Sequence, residues 1–98
     1  MQKVYISGKI TGTEDYMERF AEVEERLTLE GYSVVNPAMV NFFLPPDTTY
    51  EEFMKMSFCM MELCDAIYLM EGWRESNGAT REYHYALSRN MYLMFEGE

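Results

Sequence analysis

Residues 66–82 constrain the fold more than any other stretch of the chain. Ala66-Ile67-Tyr68-Leu69-Met70 is a short continuous apolar run of the kind found in a strand buried on both faces. The turn-forming segment Gly72-Trp73-Arg74-Glu75-Ser76-Asn77-Gly78 follows, and then a helical pattern begins. Ser76 or Asn77 is its N-cap, with Gly78 in the first turn. Ala79, Glu82, Tyr83, Ala86 and Leu87 fall at the i, i+3, i+4, i+7, i+8 positions of a core-facing stripe. One of these five is a carboxylate, and an ionisable group on a core stripe requires a partner or a purpose.

Helical side chains lean toward the amino end of their helix, so Glu82 reaches back over Gly78, where no side chain fills the space. The sequence therefore predicts a small hollow that holds a carboxylate close to the free N–H groups of a helix start. In an open α/β sheet this hollow lies at the carboxyl ends of the strands, where ligands bind. The competing reading is a Glu at the stripe's edge or one hydrogen-bonded structurally. Burial combined with a local void favours function.

The remaining chain supplies the partners of that strand and helix. Lys3-Val4-Tyr5-Ile6-Ser7 reads as a first strand running into Gly8-Lys9-Ile10-Thr11-Gly12-Thr13. That turn is shaped like a phosphate cradle, yet it lacks both the Walker spacing and GxGxxG. Tyr5 is a phenol near the strand's end that needs a polar partner. A helix is expected from about Thr13, as N-cap, with Tyr16, Phe20, Val23 and Leu27 on one face and Gly31 at its end. Tyr32-Ser33-Val34-Val35 is a short second strand. Residues 36–49 read as an irregular stretch whose apolar Met39, Val40, Phe42, Phe43 and Leu44 cover a ligand cleft or a partner subunit.

Thr49 caps a helix to about Leu63, with Phe53, Met56, Ser57, Met60 and Cys64 on its inward stripe. Asp65, at the amino end of the third strand, is read as structural, and Glu71, at the other end, as the better second carboxylate. Asn90 ends the Glu82 helix, His84 is solvated, and Met91-Tyr92-Leu93-Met94-Phe95 is the last strand. The alternation predicts an α/β fold with a parallel four-stranded sheet of order 2-1-3-4 and helices on both faces.

Ninety-eight residues make a single domain spanning 1–98. The formal charge of −9 excludes long-range attraction to nucleic-acid polymers or anionic membranes. No run is long enough for a membrane span, and a strand starting within three residues leaves no room for a signal peptide. Cys59 and Cys64 fall on different helix faces, so reduced thiols in the cytoplasm are expected. With one His and no cluster at ligand spacing, neither a metal nor another cofactor is expected.

Taken together, Val-Tyr-Ile-Ser-Gly-Lys-Ile-Thr-Gly, Val-Asn-Pro, Cys-Asp-Ala-Ile-Tyr-Leu, Gly-Trp-x-x-Ser-x-Gly-Ala and Glu82 resemble the nucleoside 2-deoxyribosyltransferase-like family, in particular a short branch of it. The resemblance implies a flavodoxin-like three-layer sandwich. It also implies cleavage or transfer at the N-glycosidic bond of 2′-deoxynucleosides or their 5′-monophosphates. Glu82 matches the nucleophile that attacks C1′, and Tyr5 the aromatic that orients it.

Ser76 and Gly78 match positions contacting the sugar or its 5′ group, and Ser7, Gly8, Gly12, Ser57, Gly72, Trp73 and Asn77 complete the expected substrate-binding set. The implied partner is a small nucleoside or nucleotide, in a homo-oligomer. Two departures stand out. Many members carry an acid where this chain has Ser57, and little chain follows Phe95 to complete a neighbouring subunit's site. They give weight to a non-catalytic nucleotide- or nucleoside-binding module as the alternative.

Overall fold

The structure, a computed structural model, describes residues 2–97. Val4, Tyr5 and Ile6 favour extended backbone, and they lie in β1 (Lys3–Ser7), an inner strand of the sheet. The chain continues through α1 (Tyr16–Leu29), β2 (Ser33–Val35), α2 (Pro37–Phe42), α3 (Tyr50–Glu62) and β3 (Ala66–Leu69). A single 3-10 turn (Trp73–Glu75), α4 (Asn77–Ser88) and β4 (Tyr92–Phe95) complete it. All strand pairs are parallel and the order is β2-β1-β3-β4. The fold is an α/β sandwich, as the alternation predicts, and flavodoxin-like, as the resemblance implies.

Alternate residues of β1 serve opposite layers. Val4 and Ile6 pack with Phe20, Val23 and Leu27 of α1, while Tyr5 packs with Met60 and Met61 of α3 and Ala79 and Ala86 of α4. The α2 helix bridges the two layers. Its Ala38 joins the α1-side core, and the helix also touches α3. Inner strand β3 is buried along its whole length, which explains its uninterrupted apolar run.

Helix ends follow local chemistry. α1 closes with the Tyr32 N–H donating to Leu27 O and the Gly31 N–H to Thr28 O, a Schellman pair that places Gly31 at φ 100°. α4 closes the same way through Met91 and Asn90, with Asn90 at φ 56° in the role usually given to glycine. At the start of α3 the Glu52 N–H donates to Thr49 Oγ1 at 3.1 Å and the Thr49 N–H to Glu52 Oε1 at 2.8 Å. This capping box satisfies two donors at once. Thr49→Ala is expected to lower unfolding free energy by about 1 kcal/mol, read as a lower denaturant midpoint at unchanged slope.

Several expectations are corrected. α1 starts at Tyr16 rather than near Thr13, because the Thr13 hydroxyl donates to Ile10 O in a preceding turn instead of capping the helix. The stretch read as irregular contains α2: Asn36 accepts from the Ala38 N–H and Pro37 occupies the first turn. On α3, Met54 and Met61 are buried and Met56 is exposed, so the inward stripe is rotated from the predicted one. Leu87 of α4 is exposed too. Asp65 is structural, as read: Lys3 N–H donates to its Oδ2 at 3.0 Å, tying the amino ends of β1 and β3.

Candidate active site

Tyr5 and Ser7 are two apart on β1, so both side chains emerge on the same face, toward α4. From α4, Glu82 reaches back to meet them. The Tyr5 hydroxyl donates to Glu82 Oε2 at 2.7 Å and the Ser7 hydroxyl to Oε1 at 2.6 Å. Ser57, buried on α3, is a further hydroxyl neighbour of both Tyr5 and Glu82. Glu82 as a residue is 7% exposed, and three elements converge on its carboxylate.

Burial is the dominant influence on Glu82, raising its pKa above the ordinary carboxyl range. The hydroxyls of Ser7, Tyr5 and Ser57 pull the other way and offset burial only in part. Tyr5 is pushed well above the usual phenol range, first by burial and then by the neighbouring Glu82 charge. At neutral pH Tyr5 is therefore a neutral donor. Its proton points at the carboxylate and stays there.

Beside this cluster opens a cavity of about 210 Å³. Tyr5, Ser57, Ser76, Gly78, Ala79 and Glu82 form one part of its wall, and Gly8 another. Gly78 does the work expected of it. A Cβ there would stand 3.6 Å from Met54 Sδ and 3.8 Å from the Tyr50 hydroxyl, at the cavity's edge. Those are ordinary contact distances, so a Cβ at 78 would fit and only fill part of the hollow, whereas at Gly8 it would come within 2.9 Å of Met70 Sδ and 3.1 Å of its Cβ. The Ser76 hydroxyl accepts from the Ala79 N–H at 3.1 Å, fixing the start of α4 against the cavity.

Other predicted positions lie off the wall. Gly12 is an exposed turn residue at φ 83°, and Gly72 precedes the 3-10 turn at φ 88°. Asn77 is exposed. Trp73 is buried against Tyr83, with ring centroids 4.7 Å apart, and carries Arg74 over its face. Its surroundings are those of a core residue. Glu71 is exposed and away from the cavity, its N–H donating to Glu96 Oε1, so it supplies no second carboxylate. His84 is solvated, as read.

The structure adds wall residues that sequence reasoning assigned to core or loop. Tyr16 and Phe20 of α1, Tyr50, Phe53 and Met54 of α3, and Pro37 and Asn41 of α2 all face the cavity. Asn41 had a visible signal: it is the polar residue inside the apolar run Met39-Val40-Asn41-Phe42. Its Oδ1 is buried and has no hydrogen-bond partner among the described residues. None of the described wall residues is Lys or Arg, and Glu82 is their sole carboxylate. Among the described residues no three His, Cys, Asp or Glu side chains gather as metal ligands would.

A buried carboxylate held at both oxygens beside an aromatic-lined hollow can act as a nucleophile, a base or a ligand anchor. The family model described as "Domain of unknown function (DUF4406)" matches residues 2–95. The chain belongs to this family. Among curated proteins none matches it. The DUF4406 match covers every element from β1 to β4, so the Tyr5–Ser7–Glu82 cluster and its cavity lie wholly within the family domain.

Proposed function

We propose that this DUF4406 domain cleaves or transfers at the N-glycosidic bond of 2′-deoxynucleosides or their 5′-monophosphates, with Glu82 as nucleophile. The observation that carries the reading is the placement of Glu82: buried, gripped by Tyr5 and Ser7, and on the wall of a cavity at the carboxyl ends of the strands. The resemblance of the sequence to nucleoside 2-deoxyribosyltransferase-like proteins supplies the substrate class.

In this reading a Glu82 oxygen forms a bond to C1′ while the C1′–N bond breaks, its electron pair leaving with the base. Water or a second base then attacks C1′ and releases the carboxylate. The departing base takes up a proton on its nitrogen, and in hydrolysis the attacking water loses one. Tyr5 and Ser7 fix which lone pair of the carboxylate faces the sugar. Aromatic walls exclude water, which keeps the nucleophile poorly hydrated. A 5′-phosphate, where present, would rest on the N–H groups at the start of α4.

A second reading is a nucleotide- or nucleoside-binding module without turnover. It is favoured by the lack of any second carboxyl group among the described wall residues, with Ser57 beside Glu82 and no acid there to protonate a departing base. The test is chromatographic. The chain and its Glu82→Ala variant are incubated with the four deoxynucleosides and their 5′-monophosphates, with and without an acceptor base. Free base from the wild type and none from the variant is the expected result. Melting-temperature shifts without free base would favour the binding module.

The same proposal extends to surroundings. Among the described residues no helix is long and apolar enough to cross a membrane. The free thiols of Cys59 and Cys64 support a reducing, cytoplasmic setting. Exposed Met39, Val40, Phe42 and Phe43, contiguous on and just after α2, support self-association into a dimer or larger homo-oligomer.

A further inference from the structure

Tyr50 opens α3 and lines the cavity, and the mechanism above gives it no part. It is 46% exposed, so a ligand in the cavity has access to it. The space it borders is the one that Gly78 leaves open. The position a Cβ would take on Gly78 lies 3.8 Å from the Tyr50 hydroxyl oxygen and 3.9 Å from Ser76 Oγ. Two hydroxyl groups therefore flank one small space, a single helical turn from Glu82 and on the same face of α4.

The partners already present decide what these hydroxyls offer. Ser76 Oγ accepts from the Ala79 N–H, which leaves the Ser76 hydrogen free. The Arg81 guanidinium stands 5.5 Å from the centroid of the Tyr50 ring and beside its hydroxyl. Arg81 is itself held by Glu51, through contacts of 3.0 Å and 3.2 Å. A guanidinium only donates, so the Tyr50 oxygen accepts from it and keeps its own hydrogen for another partner. No acceptor among the described residues takes either hydrogen.

We infer that Tyr50 is a specificity-determining residue whose hydroxyl donates to an exocyclic sugar oxygen of the ligand seated over Gly78, with Ser76 flanking that oxygen and Arg81 positioning the phenol. The inference rests on the proposed substrate class and adds a residue that reads the sugar. A 2′-deoxynucleoside carries two such oxygens, on C3′ and C5′. Removing them one at a time tells which of them Tyr50 meets.

The test uses binding to the Glu82→Gln chain, so that it stands apart from turnover. Calorimetric titrations compare each of the four deoxynucleosides with its 2′,3′-dideoxy and 2′,5′-dideoxy counterparts. The same titrations follow with Tyr50→Phe added, which keeps the ring and removes one oxygen, and with Arg81→Met. The expected result is that one of the two analogues binds about three- to tenfold more weakly than its parent, the size of a single neutral hydrogen bond. Phenylalanine should reduce that ratio by weakening the parent and leaving the analogue unchanged. Arg81→Met should reduce it by less, because the phenol keeps its hydrogen and loses only its support.

Equal affinities for parent and both analogues overturn the inference. So does a phenylalanine variant that weakens parent and analogue alike, or weakens neither. Gly78→Ala, which fits at ordinary contact distance, is the second variant: its methyl group takes the same space and should erase the same difference. A difference that survives it places the oxygen elsewhere and overturns the inference too. Binding of no deoxynucleoside overturns it together with the proposed substrate class. Failure of the base-release assay alone removes the catalytic reading and leaves the parent-to-analogue ratio to decide the role of Tyr50.

Discussion

Glu82→Gln will abolish base release and, at neutral pH, raise the melting temperature of the chain. The first effect follows from the nucleophilic role proposed for Glu82. A neutral amide cannot form the glycosyl ester, and loss of a covalent nucleophile costs on the order of 10⁴-fold or more in turnover. The second follows from burial. Glu82 has a folded pKa above its unfolded value, so the folded chain holds the proton where the unfolded chain has already released it.

Below the ordinary carboxyl range both states are protonated, and glutamine and glutamic acid behave alike. As pH rises from that range through the raised folded value, stability is lost progressively, and above it the loss is complete. Glutamine has no proton to lose, so its advantage grows across that window and then levels off. Melting curves from pH 3 to 8, a range on the order of the usual carboxyl titration and beyond, check this. A variant that melts lower than wild type at neutral pH and equal to it in acid would contradict it. Stability given up for a reactive group is the pattern expected under the proposed function.

Removing the two hydroxyls that hold the carboxylate acts in the opposite direction. In Tyr5→Phe with Ser7→Ala, Glu82 loses the Tyr5 and Ser7 donors, one at each oxygen, and keeps only Ser57 as a hydroxyl neighbour while remaining buried. Each hydrogen bond to a charged acceptor contributes about 1–3 kcal/mol, so the double variant is expected to lose roughly 2–5 kcal/mol of stability at pH 7. Both donors hold the carboxyl pKa down, so their removal raises it further. In the proposed mechanism the ionised form is the reactive one, so the acid limb of the pH–rate profile is expected to move to higher pH and activity at pH 7 to fall. A profile whose limb stays in place while the maximum drops would assign the hydroxyls to substrate contact instead. The single variants should show smaller shifts, with Ser7→Ala the larger because its hydroxyl is the stronger of the two influences.

The positions of the four strands were legible because each carries a short apolar stretch close to turn residues, and the alternation of strands with helices pointed to a parallel sheet. Tyr5 and Glu82 were each legible as a polar group standing where a core residue belongs and needing a partner, and it was the family resemblance that joined them to each other. What escaped was the other half of the cavity. Tyr16 and Phe20 fit a helix stripe so well that packing accounts for them, and nothing local shows that the same rings also border a void. α2 escaped because six residues with a proline at their start look like a loop unless the Asn36 cap is recognised. Trp73 and Gly72 misled in the other direction: a motif rich in turn formers next to a site owes several of its residues to the turn itself.

The hydrogen bonds at Glu82 join residues 75 and 77 positions apart in a chain of 98. Strand β1 is the first of the described elements and α4 the last but one, so no fragment ending before residue 82 can complete the cluster. Closing so long a loop has an entropic cost that only the assembled sheet offsets. Between the unfolded and the raised folded pKa of Glu82, completing the cluster is therefore accompanied by proton uptake at this one carboxyl group. Its raised titration appears only when the two ends of the molecule have met.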